Sequence, residues 1–301
     1  MARRVPRNGV VLITGASTGL GFALSQHLLE TDYRLILTAR GSSLARFQER
    51  GIEPSDRIRL RALDVTSHDE RCALVEEAER DWGGVDVLVN NAGIAIRSVV
   101  EHVSEEDRLH QMGVNFLAPM ALARLVLPSM RRKQAGRIVN ISSVGGMMAM
   151  PTMAVYSASK FALEGATEAL WYEVRPWGLR VTLIEPGFIN SKGFSRTQYT
   201  AQSLSSAERE DAAYHRHYES MTGFIERLMG LSPTRPHNIA RRIRKVIESR
   251  RPPLRVQVTL DAHFFSLLRR LLPRSVYHEV LYRTLPGVRS WGPRSPHDPP
   301  E

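Results

Sequence analysis

The 301 residues predict an α/β protein built on a doubly wound parallel sheet. Three observations carry this reading. Short apolar, β-branched runs recur along the chain, each is followed by a stretch with helical spacing, and the first strand-to-helix junction is rich in glycine. The composition, 43% apolar and 24% charged, excludes collagen-like and largely disordered chains. The lone cysteine, Cys72, excludes an intramolecular disulfide and a cysteine zinc site, and it agrees with a reducing compartment.

Residues 10–14 (VVLIT) read as the first buried strand and 20–30 as the helix after it. Strands are expected again at 33–39, 58–63, 85–90, 137–142 and 179–184, with helices between them at 43–50, 67–81, 104–133 and 153–175. The strands are continuous apolar runs rather than alternating ones, as in a sheet covered on both faces, and right-handed crossovers make that sheet doubly wound. The alternation breaks after Pro186-Gly187. Residues 188–235 read as a substrate loop or lid with a helix near 208–228, followed by a helix at 236–249 and a seventh strand near 254–258. Residues 1–284 are thus expected to form a single Rossmann-type domain of about seven strands, with a helical substrate-loop insertion and a C-terminal extension. Residues 285–301, with five prolines, read as a disordered tail.

The formal net charge is +10, unevenly placed. Residues 1–234 carry 27 basic and 26 acidic side chains, whereas 235–301 carry 14 and 5. The basic segment has no nucleic-acid reader motif and no basic patch interleaved with stacking aromatics, so no nucleic-acid partner is expected. No run approaches the roughly 20 apolar residues that span a bilayer, and the basic start is followed by too short an apolar run for a signal core. A cytoplasmic setting is expected. Residues 261–272, with Phe264, Phe265, Leu267 and Leu268 beside Arg269 and Arg270, admit two readings: a helix over the substrate pocket, or peripheral contact with a membrane.

Four groups of residues carry chemistry. Gly15, Ser17, Thr18, Gly19, Leu20 and Gly21 form the turn between the first strand and its helix. Glycines there allow a tight turn and a close backbone approach, and the helix N-terminus favours an anion, so the turn suits the pyrophosphate of a dinucleotide. At the end of the second strand no carboxylate appears and Arg40 follows directly. An acidic residue there would bind the ribose 2′-hydroxyl of NAD, while an arginine accommodates a 2′-phosphate, so the cofactor is read as NADP(H), with Ser42 or Ser43 assisting. Ser143, Tyr156 and Lys160 form the third group. Tyr156 and Lys160, four apart, share a helix face, and an ammonium beside a phenol stabilises phenolate for proton exchange with a hydroxyl or carbonyl. The fourth is Asn90-Asn91-Ala92-Gly93 at a strand end that faces the crevice, with Asn115 in the helix that follows.

Together these residues resemble the short-chain dehydrogenase/reductase family over roughly residues 9–190. The resemblance implies that Asn115, Ser143, Tyr156 and Lys160 are the catalytic tetrad, with the family's 13-residue gap between Ser143 and Tyr156. It places Asp64 and Val65 at the adenine, and Asn91, Ala92, Gly93, Pro186, Gly187, Ile189 and Ser191 along the rest of the cofactor. Ser191 stands where many members have threonine. The segments SVGGMMAMP at 143–151 and YSASKFALEG at 156–165 further resemble the 17β-hydroxysteroid dehydrogenase type 1 and retinol dehydrogenase subgroup.

The resemblance implies hydride transfer between NADP(H) and a hydroxyl or carbonyl, with Tyr156 as acid or base and Asn115 anchoring a water that links Lys160 to solvent. It also implies a homodimer or homotetramer through the helices at 104–133 and 153–175. Met147, Met148, Met150, Ile94, Ile96, Phe188 and Phe194 are expected to line an apolar pocket for a steroid, retinoid or other lipidic substrate. Two other readings remain open. One is a 3-oxoacyl thioester reductase whose basic residues at 235–251 receive an acidic carrier or coenzyme. The other is a non-catalytic NADP-binding redox sensor.

Overall fold

The computed structural model describes residues 5–190 and 197–292. A parallel sheet of seven strands forms its centre. The strands are β1 (Val10–Ile13), β2 (Arg34–Ala39), β3 (Ile58–Ala62), β4 (Val87–Asn90), β6 (Arg137–Ile141), β7 (Arg180–Glu185) and β9 (Arg255–Gln257). Their order is β3-β2-β1-β4-β6-β7-β9, so the chain reverses direction across the sheet between β1 and β4. Along β1, Val11 and Ile13 enter one apolar layer while Val10 and Leu12 enter the other, the two-residue alternation of a strand buried on both faces.

One layer holds α1 (Gly19–Leu29) and α9 (Pro236–Glu248), which meet through Leu24, Leu28, Ile239, Ile243 and Ile247. The other holds α3 (His68–Trp82), α4 (Glu105–Met112), α5 (Ala118–Lys133) and α6 (Ala154–Val174). The helix expected at 43–50 is reduced to a 3₁₀ turn, Gly41–Ser43, and the four-residue α2 (Ala45–Gln48).

The helix expected at 104–133 is interrupted. A π turn at Gly113–Leu117 separates α4 from α5 and carries Asn115 at its centre. The expectation that no segment suffices to cross a bilayer needs correction, since the run Glu105–Lys133 is long and apolar enough by length and composition. Its apolar side chains have another use here: Val114, Leu122, Val126 and Met130 are buried against the sheet.

Beyond β7 the insertion is more ordered than its sequence suggested. A two-residue strand, β5 (Ile96–Arg97), pairs in parallel with β8 (Gln198–Tyr199), and α7 (Ala201–Glu208) precedes α8 (His215–Leu231). After β9 come α10 (Leu260–Leu271) and α11 (Arg274–Thr284). Residues 285–292, expected as the start of a loose tail, instead contain a 3₁₀ turn, Val288–Ser290, and Leu285 and Trp291 pack onto the cluster around Phe188. Ser191, Phe194 and residues 293–301 lie outside the described residues.

Candidate active site

The reversal between β1 and β4 opens a crevice at the C-terminal ends of the strands, and two loops form its floor. Thr14 joins them. Its hydroxyl accepts the backbone N–H groups of Asn91 and Ala92, each at 3.0 Å, while the Asn91 amide donates to the carbonyls of Thr14 at 2.9 Å and Gly15 at 3.0 Å. Asn91, placed on the cofactor by the sequence, lines the adjoining cleft while its amide braces the glycine turn. Gly21 is required by this packing, because a Cβ there would lie 2.4 Å from both the Asn91 amide nitrogen and the Gly15 carbonyl oxygen. Gly19 has φ +56 and open space where a Cβ would point, and the Thr18 side chain makes no capping bond to α1. The start of α1 therefore keeps backbone donors free for an anion.

The adjoining cleft has a volume of about 330 Å³. Gly15, Ser17, Thr18 and Leu20 line one side, Asp64 and Val65 another, and Asn91, Ala92 and Gly93 a third. Arg40, Ser43 and Arg46, from the segment after β2, also line it. Ser42, offered with Ser43 as a helper, does not line it. Arg46 on α2, His110 on α4 and Val114 in the π turn also line the cleft and were missed in the sequence. Arg46 had a faint signal, a second arginine on the segment that follows Arg40. Bonds from the Thr66 hydroxyl and backbone N–H hold the Asp64 carboxyl below the usual carboxylate range, with smaller contributions from His110 and Arg40. A dinucleotide fits these residues: small backbone-lined turns, an open helix N-terminus, and cationic groups.

Ser143, Tyr156, Lys160 and Asn115 converge at the inner end of the crevice. Ser143 follows β6, where its hydroxyl accepts the Gly145 N–H at 3.1 Å. Gly145 makes room for the phenol, since a Cβ there would lie 2.9 Å from Tyr156 Cε1. Lys160, one turn further along α6, donates to the Ile141 carbonyl at 2.9 Å, with its ammonium 5.9 Å from the centre of the Tyr156 ring. Burial pushes the Tyr156 hydroxyl above its usual value, and the neighbouring Ser143 hydroxyl opposes this in part. Burial also lowers Lys160 to about 8, opposed by the carboxylate of Glu164.

The expectation that Asn115 anchors a water needs refinement. Its amide hydrogens donate to the Ile94 carbonyl at 2.9 Å and to Ser159 Oγ at 3.0 Å, and its Oδ1 accepts the Ile94 N–H at 2.9 Å. The side chain is thus occupied in fastening the loop after β4 to α6. Its backbone carbonyl is different: in a regular helix it would receive the N–H of residue 119, which is a proline and has none.

Pro186, Gly187, Phe188 and Ile189 follow β7. The Pro186 carbonyl accepts the Val144 N–H at 2.7 Å, tying this loop to the one after Ser143. From the other side, Gly187 N–H donates to Thr259 Oγ1 at 2.9 Å and Phe188 N–H to Asp261 Oδ2 at 2.8 Å. Thr259 caps α10, so the C-terminal extension clamps the loop. Neither Thr259 nor Asp261 was singled out in the sequence, where nothing marks a capping residue as part of a site.

The apolar residues separate into two clusters. Met147 and Met148 pack with Val144 and Tyr277, while Phe188 packs with Met221 and Ile225; Met150 touches both. Ile94 packs instead against the layer containing α3 and α5, and Ile96 belongs to β5, so these two do not join the methionines.

The profile of the short chain dehydrogenase family matches residues 9–201. The chain is 34% identical over 273 residues to a 3-ketodihydrosphingosine reductase of Bacteroides thetaiotaomicron, covering 90% of this chain and 96% of that protein. It is similar to the crystal structure of a short-chain dehydrogenase from Streptomyces avermitilis, with a TM-score of 0.74, 28% identity and coverage of 92% and 98% of the two chains. A short chain dehydrogenase/reductase from Burkholderia phymatum, solved with NAD, shares the fold at TM-score 0.73 and 22% identity, covering 99% of this chain and 100% of that one.

Proposed function

The chain belongs to the short chain dehydrogenase family, and on that premise we propose that it is an NADP(H)-dependent reductase of a hydrophobic ketone or aldehyde, working through Tyr156. The observation that carries the proposal is the convergence of Ser143 and Tyr156 beside Gly145, with the Lys160 ammonium 5.9 Å from the centre of the Tyr156 ring, at the inner end of the crevice. A redox sensor has no use for a proton donor at that position.

The cofactor supplies the hydride when bound. Backbone groups of the turn from Gly15 to Gly21 and the N-terminus of α1 would hold its pyrophosphate, and Asp64 and Val65 would flank its adenine end. Arg40, Ser43 and Arg46 would receive a 2′-phosphate; no carboxylate side chain sits at the end of β2 to prefer a free 2′-hydroxyl. Gly93, Lys160 and the loop from Pro186 to Ile189 would bound the nicotinamide end; Ser191, beyond the described residues, is proposed as a further contact. Ser143 then orients the substrate oxygen and Tyr156 gives it a proton as the carbon gains hydride, so a ketone leaves as an alcohol. Lys160, charged below about pH 8, stabilises the phenolate left behind, and the proton is restored past Lys160 towards the Asn115 carbonyl. The raised value of Tyr156 keeps the phenol protonated near neutral pH, which is the form that reduction needs.

Two features support a long apolar substrate. Phe188, Met221 and Ile225 form an apolar wall beside the Pro186–Ile189 loop, and the Bacteroides relative bears the name of a long-chain keto-lipid reductase. The likeness to the steroid and retinol subgroup adds steroid and retinoid carbonyls to the substrates worth comparing. The test is NADPH oxidation with 3-ketodihydrosphingosine and a series of shorter 3-ketones. Each buried methylene is expected to raise kcat/KM roughly threefold to fourfold. Exchange of NADPH for NADH, or Arg40→Ala with NADPH, is expected to cost about tenfold or more. Equal use of short and long ketones, or of the two cofactors, would contradict the proposal.

A further inference from the structure

Helix α10 is apolar on two faces. Its inner stripe, Phe265, Leu268 and Leu272 at its end, packs over Met147, Met148 and Met150, as the first of the two sequence readings required. A second stripe, Leu260, Phe264, Leu267 and Leu271, follows the same helical spacing on another face and is 76%, 58%, 54% and 68% exposed. A helix that is apolar on two faces is ordinarily sandwiched between two layers. Among the described residues nothing covers the outer stripe. The next helix, α11, adds Val276 and Val280, one turn apart and 45% and 38% exposed.

The charge of this extension identifies what would cover the stripe. Residues 260–292 contain five arginines and two acidic residues, Asp261 and Glu279. Asp261 is engaged by the Phe188 N–H, and Glu279 pairs with Arg283 at 2.6 Å. The wider segment 235–301 holds nearly all of the net charge of the chain. A second copy of the chain docked symmetrically on this stripe would bring like-charged arginines together. An anionic bilayer offers the opposite charge to the arginines and an apolar interior to the leucines.

We infer that the outer face of α10, continued by α11, seats the protein on the surface of an anionic membrane. The helix would lie in the plane of the interface, with its inner face still roofing the methionine cluster beside Ser143. A lipidic substrate would thereby have a short path from the bilayer to the site. The docking itself requires neither cofactor nor turnover, so it stands or falls separately from the proposed reaction.

The experiment is sedimentation of the full chain with phosphatidylcholine vesicles, with and without phosphatidylglycerol, at two salt concentrations. Binding is expected only with phosphatidylglycerol, and weaker in high salt. The double variant Phe264→Asp/Leu267→Asp should lower the bound fraction roughly tenfold or more, and Arg270→Glu about fivefold. The wild-type melting temperature and mass in solution should be retained by both variants. Failure of the wild-type chain to bind phosphatidylglycerol vesicles would overturn the inference. So would a fall in mass of the double variant to half, which would assign the stripe to self-association.

Discussion

Tyr156 and Lys160 are shifted in opposite directions by one cause, removal from water, which disfavours the charged form of each. For a reductase this is a useful pair of shifts. The phenol stays protonated and able to donate, and Lys160, at about 8, is charged at neutral pH yet near its titration point. Since the charged ammonium is the form that stabilises phenolate, kcat for reduction should be flat at neutral pH and fall as pH rises through about 8. Lys160→Arg, whose charge persists, should abolish that alkaline limb while lowering kcat, which a pH profile of single-turnover rates would reveal. A limb unchanged by Lys160→Arg would assign the titration to another group.

At the scale of elements, the loop after β7 is held from both sides, by Val144 on one and by the first turn of α10 on the other. Gly187 is essential to this clasp, since a Cβ there would lie 1.8 Å from Asp261 Oδ2. Gly187→Ala should cost about 1–3 kcal/mol in chemical unfolding and weaken cofactor binding. Adding Asp261→Ala should recover part of the stability, because the two changes share one contact. Strictly additive losses would show that the contact is not the cause.

The seven strands were legible because parallel strands buried on both faces must be continuous apolar runs, and the glycine turn because its backbone shape admits few alternatives. Other elements lacked such signals. β5 and β8, with two residues each, are too short to show a period, and the hydrophobic pattern of 104–133 runs through the π turn without a break. Only Asn115 with Pro119 four residues later marked that site, and only to a reader who asked which N–H the Asn115 carbonyl would receive. Ser143, Tyr156, Lys160 and Asn115 were singled out from motif spacing and lie close together, whereas the bracing by Asn91 and the clamp from Asp261 depend on contacts between distant segments that no local pattern encodes.

At the scale of the whole molecule, the insertion after β7 is tied to the segment after β4 at several buried points, Arg97 among them. Arg97 is fully buried on β5 and donates to Thr152 Oγ1 at 3.2 Å, to the Tyr199 hydroxyl at 3.3 Å on β8 and to the Tyr218 carbonyl at 3.4 Å on α8. Thr152 has φ +63, a left-handed conformation uncommon for a β-branched residue, and it lies immediately before the helix bearing Tyr156. β5, the insertion elements β8 and α8, and the segment just before the helix bearing Tyr156 therefore meet at Arg97. The C-terminal extension closes the arrangement by clamping the Pro186–Ile189 loop and roofing the methionines. On the proposed reading, all of this serves a single proton donor, Tyr156. The most direct measurement is therefore a comparison of the wild-type chain with Tyr156→Phe, reading NADPH binding by fluorescence and NADPH oxidation with 3-ketodihydrosphingosine side by side. Unchanged NADPH binding with turnover reduced by roughly a hundredfold or more is the predicted result; turnover that survives the substitution would contradict the assignment of Tyr156 and, with it, the mechanism.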